Sequence, residues 1–218
     1  MKQKIIKGIL VTAMILLSVL IALVSFRYLS FEPIDLISNK APEIRASVFW
    51  LAAFYLHVLP GSLALLIGGP QFIGTLRDKF IGIHRTIGKI YVVSVFVSSV
   101  AGLMLALFAD GGIAAKAGFA GLALLWFYTN YRAYTAIRRV DTTEHRSWMI
   151  RNFALTFAAV TLRIWLPLFL AGLGMKFNTA YPIISWLCWV PNILVAEILV
   201  RRLERPAMLS GQPEEAAA

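Results

Sequence analysis

Long apolar runs, separated by short polar connections, dominate the chain. Six of them are about 20 residues long, which is the length that crosses a hydrocarbon core of roughly 30 Å. They lie at 5–26, 48–67, 90–108, 113–132, 149–173 and 181–200. This pattern predicts an all-α membrane bundle of six transmembrane helices. Because the connections are short, we expect consecutive helices to be antiparallel neighbours.

The composition agrees with a membrane protein. Hydrophobic residues make up 59% of the chain and charged residues 15%, against roughly 45–50% and 25% in a soluble domain. The first apolar run follows three lysines, as in a signal peptide, but it is too long for one and no clear cleavage site follows it. We therefore expect an uncleaved first span, a single membrane domain over 1–204, and a disordered cytoplasmic tail over 205–218.

Positive charge is unevenly distributed between the two sides of the predicted spans. The chain has 21 Lys and Arg and a formal net charge of +10. With the N-terminus inside, fifteen basic residues fall on the cytoplasmic side and five on the other, which predicts that both termini are cytoplasmic. The charges are dispersed and lack a recognition motif, so nucleic-acid binding is not expected. The fifteen are Lys2, Lys4, Lys7, Arg77, Lys79, Arg85, Lys89, Arg132, Arg138, Arg139, Arg146, Arg151, Arg201, Arg202 and Arg205.

The same polar pair opens two apolar segments. His84-Arg85 begins HRTIGKIYVVSVFV, and His145-Arg146 begins HRSWMIRNFALTFAAV. The chain has only three histidines, so two of them occupy matching positions at the predicted cytoplasmic ends of spans. Histidine is costly in hydrocarbon and useful for protons, metals and haem. We therefore expect function to centre on these residues.

Two imidazoles at equal depth can ligate haem iron, and neighbouring arginines can bind the propionates. This favours a haem b with His84 and His145 as iron ligands and Arg85 and Arg146 as anion partners. No CxxCH motif occurs, which excludes covalent c-type attachment. Two alternatives remain open: the pairs anchor helix ends at the lipid headgroups, or they handle protons or ions.

A second polar group lies inside the predicted spans. His57 falls near mid-membrane, roughly 20 Å from the two pairs along the helix rise. Arg163 shares a predicted helix face with His145, and Asn192 lies at about the depth of His57. With Glu197, these residues predict an inner polar site. The face that carries His57 continues through Gly61, Ala64, Gly68 and Gln71, and the face of Arg163 includes Asn152 and Thr156.

Structural interpretations of the same residues stay open. His57 is equally consistent with a packing face made of small residues. Arg163 is also consistent with a side chain that reaches the outer interface. For Glu197, an ion pair with Arg85, Arg146 or Arg151 is expected.

Several classes of site are excluded. Cys188 is the only cysteine, so neither an intramolecular disulfide nor a cysteine-based metal site can form. Histidines at two depths do not make a tetrahedral zinc site. No nucleophile elbow, Walker loop, GxGxxG or HExxH motif occurs, and the sequence leaves open whether the protein is an enzyme.

The polar motifs together resemble one protein family. The strings LHVLPGSLALLIGGPQF, HRTIGKIY, EHRSWMIRNFALTFAAVTLRIWLP and WLCWVPNILVAE are similar to bacterial multi-spanning proteins grouped as domain of unknown function 2306 (DUF2306). The resemblance covers roughly 51–197. It implies a multi-pass protein of the bacterial inner membrane and supplies no reaction. The residues that fit the family pattern are His57, Gly61, Gln71, His84, Arg85, Gly88, His145, Arg146, Arg151, Thr161, Arg163, Trp189, Pro191, Asn192 and Glu197.

Three functional hypotheses follow. The first is a haem-binding or redox membrane protein that uses His84 and His145. The second is a transporter or channel for a small anionic or protonatable solute, bound by the inner polar site and favoured by helix breaks at Pro60 and Pro191. The third is a structural or assembly factor of a membrane complex. The lipid bilayer is the expected partner, together with a second membrane protein or another copy of the chain.

Overall fold

The structure, a computed structural model, describes residues 2–32, 37, 38 and 40–210. All regular structure in this part of the chain is helical, as the apolar pattern predicts. Short 3-10 segments follow α1 (Phe26–Ser30) and α3 (Gly69–Phe72), and a π-helical turn (Leu168–Gly172) follows α8. The helices are α1 (Lys2–Ser25), α2 (Pro42–Arg45), α3 (Val48–Gly68), α4 (Gly74–Lys79), α5 (Ile81–Ala106), α6 (Gly112–Arg138), α7 (Thr142–Thr156), α8 (Ala158–Pro167), α9 (Phe177–Leu187) and α10 (Val190–Ser210).

Six helical segments in this part of the chain are long and apolar enough to cross a membrane, which confirms the predicted number. α1, α3, α5 and α6 provide the first four. The fifth consists of α7 and α8, and the sixth of α9 and α10. Large apolar side chains such as Leu20, Val93 and Leu194 lie exposed on the outside of the bundle, where they contact lipid instead of water.

Several helix ends differ from the sequence prediction. α5 begins at Ile81, nine residues before the predicted start of its span, and α6 continues to Arg138. The last helix extends to Ser210, beyond the predicted start of the tail at 205. The rest of that predicted tail, 211–218, lies outside the described residues.

Two spans are interrupted by a local break in the helix. α7 ends at Thr156 and α8 starts at Ala158, with Phe157 between them. α9 ends at Leu187 and α10 starts at Val190, three residues after Leu187 and one before Pro191. Proline lacks an amide hydrogen and disfavours a preceding helical residue, which accounts for the second break. Pro60, by contrast, lies inside α3 without interrupting it.

The bundle is built on two antiparallel helix pairs, α3 with α5 and α6 with α7. Its core includes the buried aromatic rings of Tyr91, Trp126 and Phe153. We call the end where α5 and α7 begin the basic end, because Arg77, Arg85, Arg139 and Arg146 lie there. The other end, where α3 begins and α5 finishes, is the far end.

Candidate cofactor-binding site

A fully buried hydrogen-bond network joins α5, α6 and α7 in the middle of the bundle. The Tyr91 hydroxyl donates to Asn152 Oδ1 at 2.6 Å and lies 2.8 Å from Thr156 Oγ1. Asn152 Nδ2 donates to Thr129 Oγ1 and to the Trp126 carbonyl, and Trp126 Nε1 donates to Thr156. We call these five residues the central network. Its polar side-chain atoms have partners, as buried groups require.

This network sets the register of the two His-Arg pairs. Tyr91 lies seven residues after His84, and Asn152 lies seven residues after His145. Because α5 and α7 are parallel and hydrogen-bonded through Tyr91 and Asn152, both histidines lie about two turns, or about 10 Å, towards the basic end. Each is also the fourth residue of its helix.

The register of α5 and α7 places His84 and His145 at one level of the bundle, as their matching sequence positions predict. With Gln71, described below, they form what we call the histidine site.

The His145 ring is held in the arrangement expected of a metal ligand. Its Nδ1 lies 2.8 Å from the carbonyl oxygen of Ala133 on α6. A carbonyl only accepts, so Nδ1 carries the hydrogen and Nε2 keeps a free lone pair. Histidines that bind metals nearly always donate their second nitrogen to such an acceptor, which fixes the tautomer and the ring orientation. This tautomer leaves Nε2 of His145 with a free lone pair.

The His84 side chain is half-buried, and one of its ring nitrogens has no hydrogen bond. Its Nδ1 is buried without a partner in the described part of the chain. One turn further along the same face is Gly88, where an added Cβ would meet no atom within 4 Å. Space is therefore open at Gly88, one turn from His84.

Gln71 brings a third polar group to this level. In the antiparallel register of α3 and α5, His57 contacts Ser98 and Gly68 abuts Tyr91. The same register places Gln71 level with the stretch from His84 to Gly88. Both amide atoms of Gln71 are buried without a partner in the described residues. An amide left unpaired in this way is costly unless something binds it.

The arginine of each pair is exposed. Neither Arg85 nor Arg146 forms an ion pair with a carboxylate in the part of the chain described. Both guanidinium groups are therefore available to an anion at the surface of the basic end.

Arg132, Arg139 and Arg151 at this end form ion pairs, and the sequence did not reveal most of these pairs. Glu144 accepts from Arg132 at 2.9 Å and Arg139 at 2.6 Å, and Trp148 Nε1 donates to it as well. Glu197 forms a two-point ion pair with Arg151, at 2.6 and 3.0 Å. Arg151 is one of the three partners that the sequence suggested for Glu197.

No described hydrogen bond or ion pair joins the four residues of the predicted inner polar site. His57 Nδ1 lies 2.8 Å from the Ser98 carbonyl on α5, and Arg163 donates to the Ala159 carbonyl and to Ser25 on α1. Asn192 instead spans the two helix breaks, donating to the carbonyls of Ala154 and Cys188. Glu197 pairs with Arg151. The four residues thus have separate partners.

Sequence reasoning did not give Tyr91, Trp126 or Thr129 a role, and it did not link Gln71 to the two pairs. A signal for Tyr91 was present, since a hydrogen-bonding residue follows each His-Arg pair at the same seven-residue spacing. The position of Gln71 depends on how α3 packs on α5, which no local pattern encodes.

In the described residues, His, Cys, Asp and Glu form no cluster of three that could hold a metal ion by themselves. Two histidines, by contrast, suffice for haem, whose macrocycle supplies four of the ligands to iron. Two histidines are therefore donors of the kind that haem iron takes.

Comparison with known proteins agrees with the architecture. No curated protein and no solved structure matches the chain. Residues 54–200 match the profile of a family described as "Predicted membrane protein (DUF2306)". That stretch includes all three histidines, Gln71, Arg163 and the central network. The chain therefore belongs to the DUF2306 family of multi-pass membrane proteins.

Proposed function

We propose that this protein binds one b-type haem at the histidine site, with Nε2 of His84 and Nε2 of His145 as the iron ligands. The observation that carries the proposal is the pairing of two histidines at one level on parallel helices. One of them is already held by a backbone carbonyl in the tautomer that leaves Nε2 free. Haem bound there supplies one-electron transfer.

Unpaired groups around the two rings support this assignment. Nδ1 of His84 and the amide of Gln71 are buried without partners in the described residues, and Gly88 leaves room one turn from His84. A flat ligand needs such a small residue, since the interior is otherwise closely packed. Gln71 can then donate to, or accept from, a polar edge of the bound group.

Arg85 and Arg146 would hold the two propionates. Each is adjacent in sequence to a ligand histidine, exposed, and without a carboxylate partner in the part described. Arginine binds carboxylates with two parallel hydrogen bonds. The two positive charges match the two propionates, which would anchor the cofactor at the basic end.

A transporter is the alternative that a specific observation favours. The two interrupted spans face each other, and Asn192 and Thr161 bond to carbonyls at the breaks. Broken helices of this kind form solute sites in many transporters. Single cysteines at positions 57, 163 and 192 in a Cys188→Ser background test it: labelling by a water-soluble reagent supports a path, and uniform protection rejects it.

The membrane topology belongs to the same proposal. The basic end faces the cytoplasm of a bacterial inner membrane, and both termini are therefore inside. Residues 1–204 form one membrane domain. The distribution of Lys and Arg supports this orientation. A partner protein or a second copy of the chain completes the electron path if haem is bound.

Haem titration of the detergent-purified protein tests the proposed function. We expect wild-type protein to bind one haem with a sharp Soret band, and His84→Ala and His145→Ala to bind at least about tenfold more weakly. His57→Phe is the matched control, because it removes the third histidine and should bind as wild type does. Wild-type protein that stays colourless with added haem, or ligand variants that bind normally, would reject the proposal.

A further inference from the structure

We propose that a groove between α6, α7 and α10 binds one phospholipid whose headgroup carries both a phosphate and a primary ammonium group, as phosphatidylethanolamine does. The groove uses no residue of the histidine site, so the proposal does not depend on haem binding. We call it the lipid groove, and the lining residues that matter here are Leu125, Tyr128, Trp148, Arg151, Ile193 and Glu197.

The lipid groove is an open cavity of about 220 Å³ that is apolar at one end and charged at the other. α7 packs against both α6 and α10 and forms its floor. Leu125 lies before Tyr128 on α6, which runs towards the basic end, and Ile193 lies before Glu197 on α10, which runs the same way. The leucine and isoleucine are therefore deeper in the bundle than Glu197. A phospholipid has the same order along its length, from acyl chain to headgroup.

The ion pair at the charged end keeps bonding capacity of both signs. Nε and Nη2 of Arg151 donate to the two carboxylate oxygens of Glu197, at 2.6 and 3.0 Å. Nη1 has no described acceptor and can donate both of its hydrogens to a phosphate. A carboxylate has about four acceptor positions, so Glu197 can still accept from an ammonium group. Its side chain is only partly buried, which leaves these positions accessible.

Trp148 holds the charged end in a fixed position. Its ring centroid lies 4.7 Å from Cζ of Arg151 and 4.6 Å from Cζ of Arg132. The ring nitrogen donates to Glu144 at 3.0 Å, and Tyr128 meets the ring edge to face at 5.6 Å. A site that is held in this way loses little conformational freedom when it binds a ligand.

Aromatic side chains place this end of the groove at the membrane interface. Tyr128, Tyr131 and Tyr134 are exposed about one turn apart on α6, and each is more than 40% accessible. Tyrosine and tryptophan are enriched at the level of the lipid headgroups. The ion pair therefore lies at headgroup level, and Leu125 and Ile193 lie at the level of the acyl chains.

The charges of the groove select the headgroup. Among the described residues, the charged side chains that line it are Arg151 and Glu197, and their charges cancel. A zwitterionic headgroup can place its phosphate against Arg151 and its ammonium against Glu197. The anionic headgroup of phosphatidylglycerol leaves Glu197 facing negative charge, and the quaternary amine of phosphatidylcholine has no N–H to donate. The groove thus favours phosphatidylethanolamine over both.

Native mass spectrometry of the detergent-purified full chain tests the headgroup preference, with phosphatidylethanolamine, phosphatidylcholine and phosphatidylglycerol of identical acyl chains as probes. We expect one saturable adduct that is about threefold to tenfold tighter for phosphatidylethanolamine, the effect of one or two hydrogen bonds. Glu197→Gln removes the negative charge and should shift the preference to phosphatidylglycerol. Glu204→Gln is the matched control, because it removes a carboxylate from the same helix outside the groove and should keep the wild-type preference.

A second pair of variants tests the apolar end and leaves the ion pair intact. Leu125→Trp should fill the groove and weaken the binding of all three lipids at least about threefold. Leu124→Trp is its control, because Leu124 is an exposed neighbour outside the groove. A His84→Ala/His145→Ala variant should keep the lipid preference, which separates this result from the haem result. Equal affinities for the three lipids, tighter binding of phosphatidylglycerol by the wild type, or unchanged binding by Leu125→Trp would overturn the proposal.

Discussion

Two polar regions lie about two helical turns apart in the bundle. They differ in whether their buried polar groups have hydrogen-bond partners. In the central network, Tyr91, Asn152 and Thr156 are all partnered inside the protein. In the histidine site, Nδ1 of His84 and the amide of Gln71 are buried and have no partner in the described chain.

The difference separates a structural role from a binding role. Buried polar groups that satisfy each other fix the register of their helices and leave nothing for a ligand. Buried polar groups without hydrogen-bond partners destabilise the ligand-free protein. A ligand that supplies the missing hydrogen bonds removes this cost. The central network therefore aligns α5 with α7, and the histidine site uses that alignment.

The largest effect is expected from the central network. Asn152→Leu removes the acceptor of the Tyr91 hydroxyl and both donors of the amide, leaving buried groups unpaired. We expect a loss of about 2–4 kcal/mol in the free energy of unfolding, measured by denaturant titration in detergent. A variant as stable as wild type would contradict the structural role.

Two glycines provide the next test, because Gly68 is packed against aromatic rings and Gly88 has no atom near the position of a Cβ. A Cβ on Gly68 would lie 2.6 Å from Tyr91 and 2.8 Å from Phe153, so Gly68→Ala should cost about 1–3 kcal/mol. Gly88→Ala should leave stability unchanged or slightly raised, since alanine favours helix. Gly88→Leu should fill the space and weaken haem binding without unfolding the protein; normal haem binding by that variant would argue against the site.

The Arg151–Glu197 pair extends the comparison to charged groups. Two hydrogen bonds join the guanidinium of Arg151 to the carboxylate of Glu197, and these side chains are 16% and 35% exposed, respectively. Arg151→Met should cost about 1–2 kcal/mol because it leaves Glu197 without its partner. The double variant with Glu197→Met should recover part of the loss. Additive losses in this double-mutant cycle would show that the pair has no coupling.

The smallest stability effect is expected at His84. Nδ1 of His84 is buried without a partner in the described residues. Replacing the imidazole with an apolar side chain of similar size therefore removes the cost of burying that nitrogen and breaks no hydrogen bond. His84→Leu should therefore change the unfolding free energy of the haem-free protein by less than about 0.5 kcal/mol. A loss as large as that of Asn152→Leu would mean that His84 is structural.

The sequence allowed the six spans to be predicted because bilayer thickness imposes a length on apolar runs. Helix ends were less predictable. α5 continues through His84, Arg85 and Lys89, which lower the hydropathy without ending the helix. The break at Phe157 had no signal, because no proline or glycine lies there.

The histidine site was only partly predictable. The matching His-Arg pairs gave His84 and His145, since equal positions on parallel helices come to equal depth. Gln71 and the carbonyl of Ala133 join them through packing between helices distant in sequence. For the same reason the predicted inner site is divided in the structure. Glu197 pairs with Arg151, Arg163 donates to Ser25 on α1, and the His57 ring lies against Ser98 on α5.

The most direct test is the reduced-minus-oxidised absorption spectrum of the protein purified from membranes, compared with a His84→Ala/His145→Ala variant. We predict a Soret band with sharp α and β bands in the wild type, absent from the double variant, while both proteins still unfold cooperatively without haem. A flat visible spectrum in haem-supplemented wild type, or identical bands in the double variant, would contradict the assignment of His84 and His145 as haem ligands.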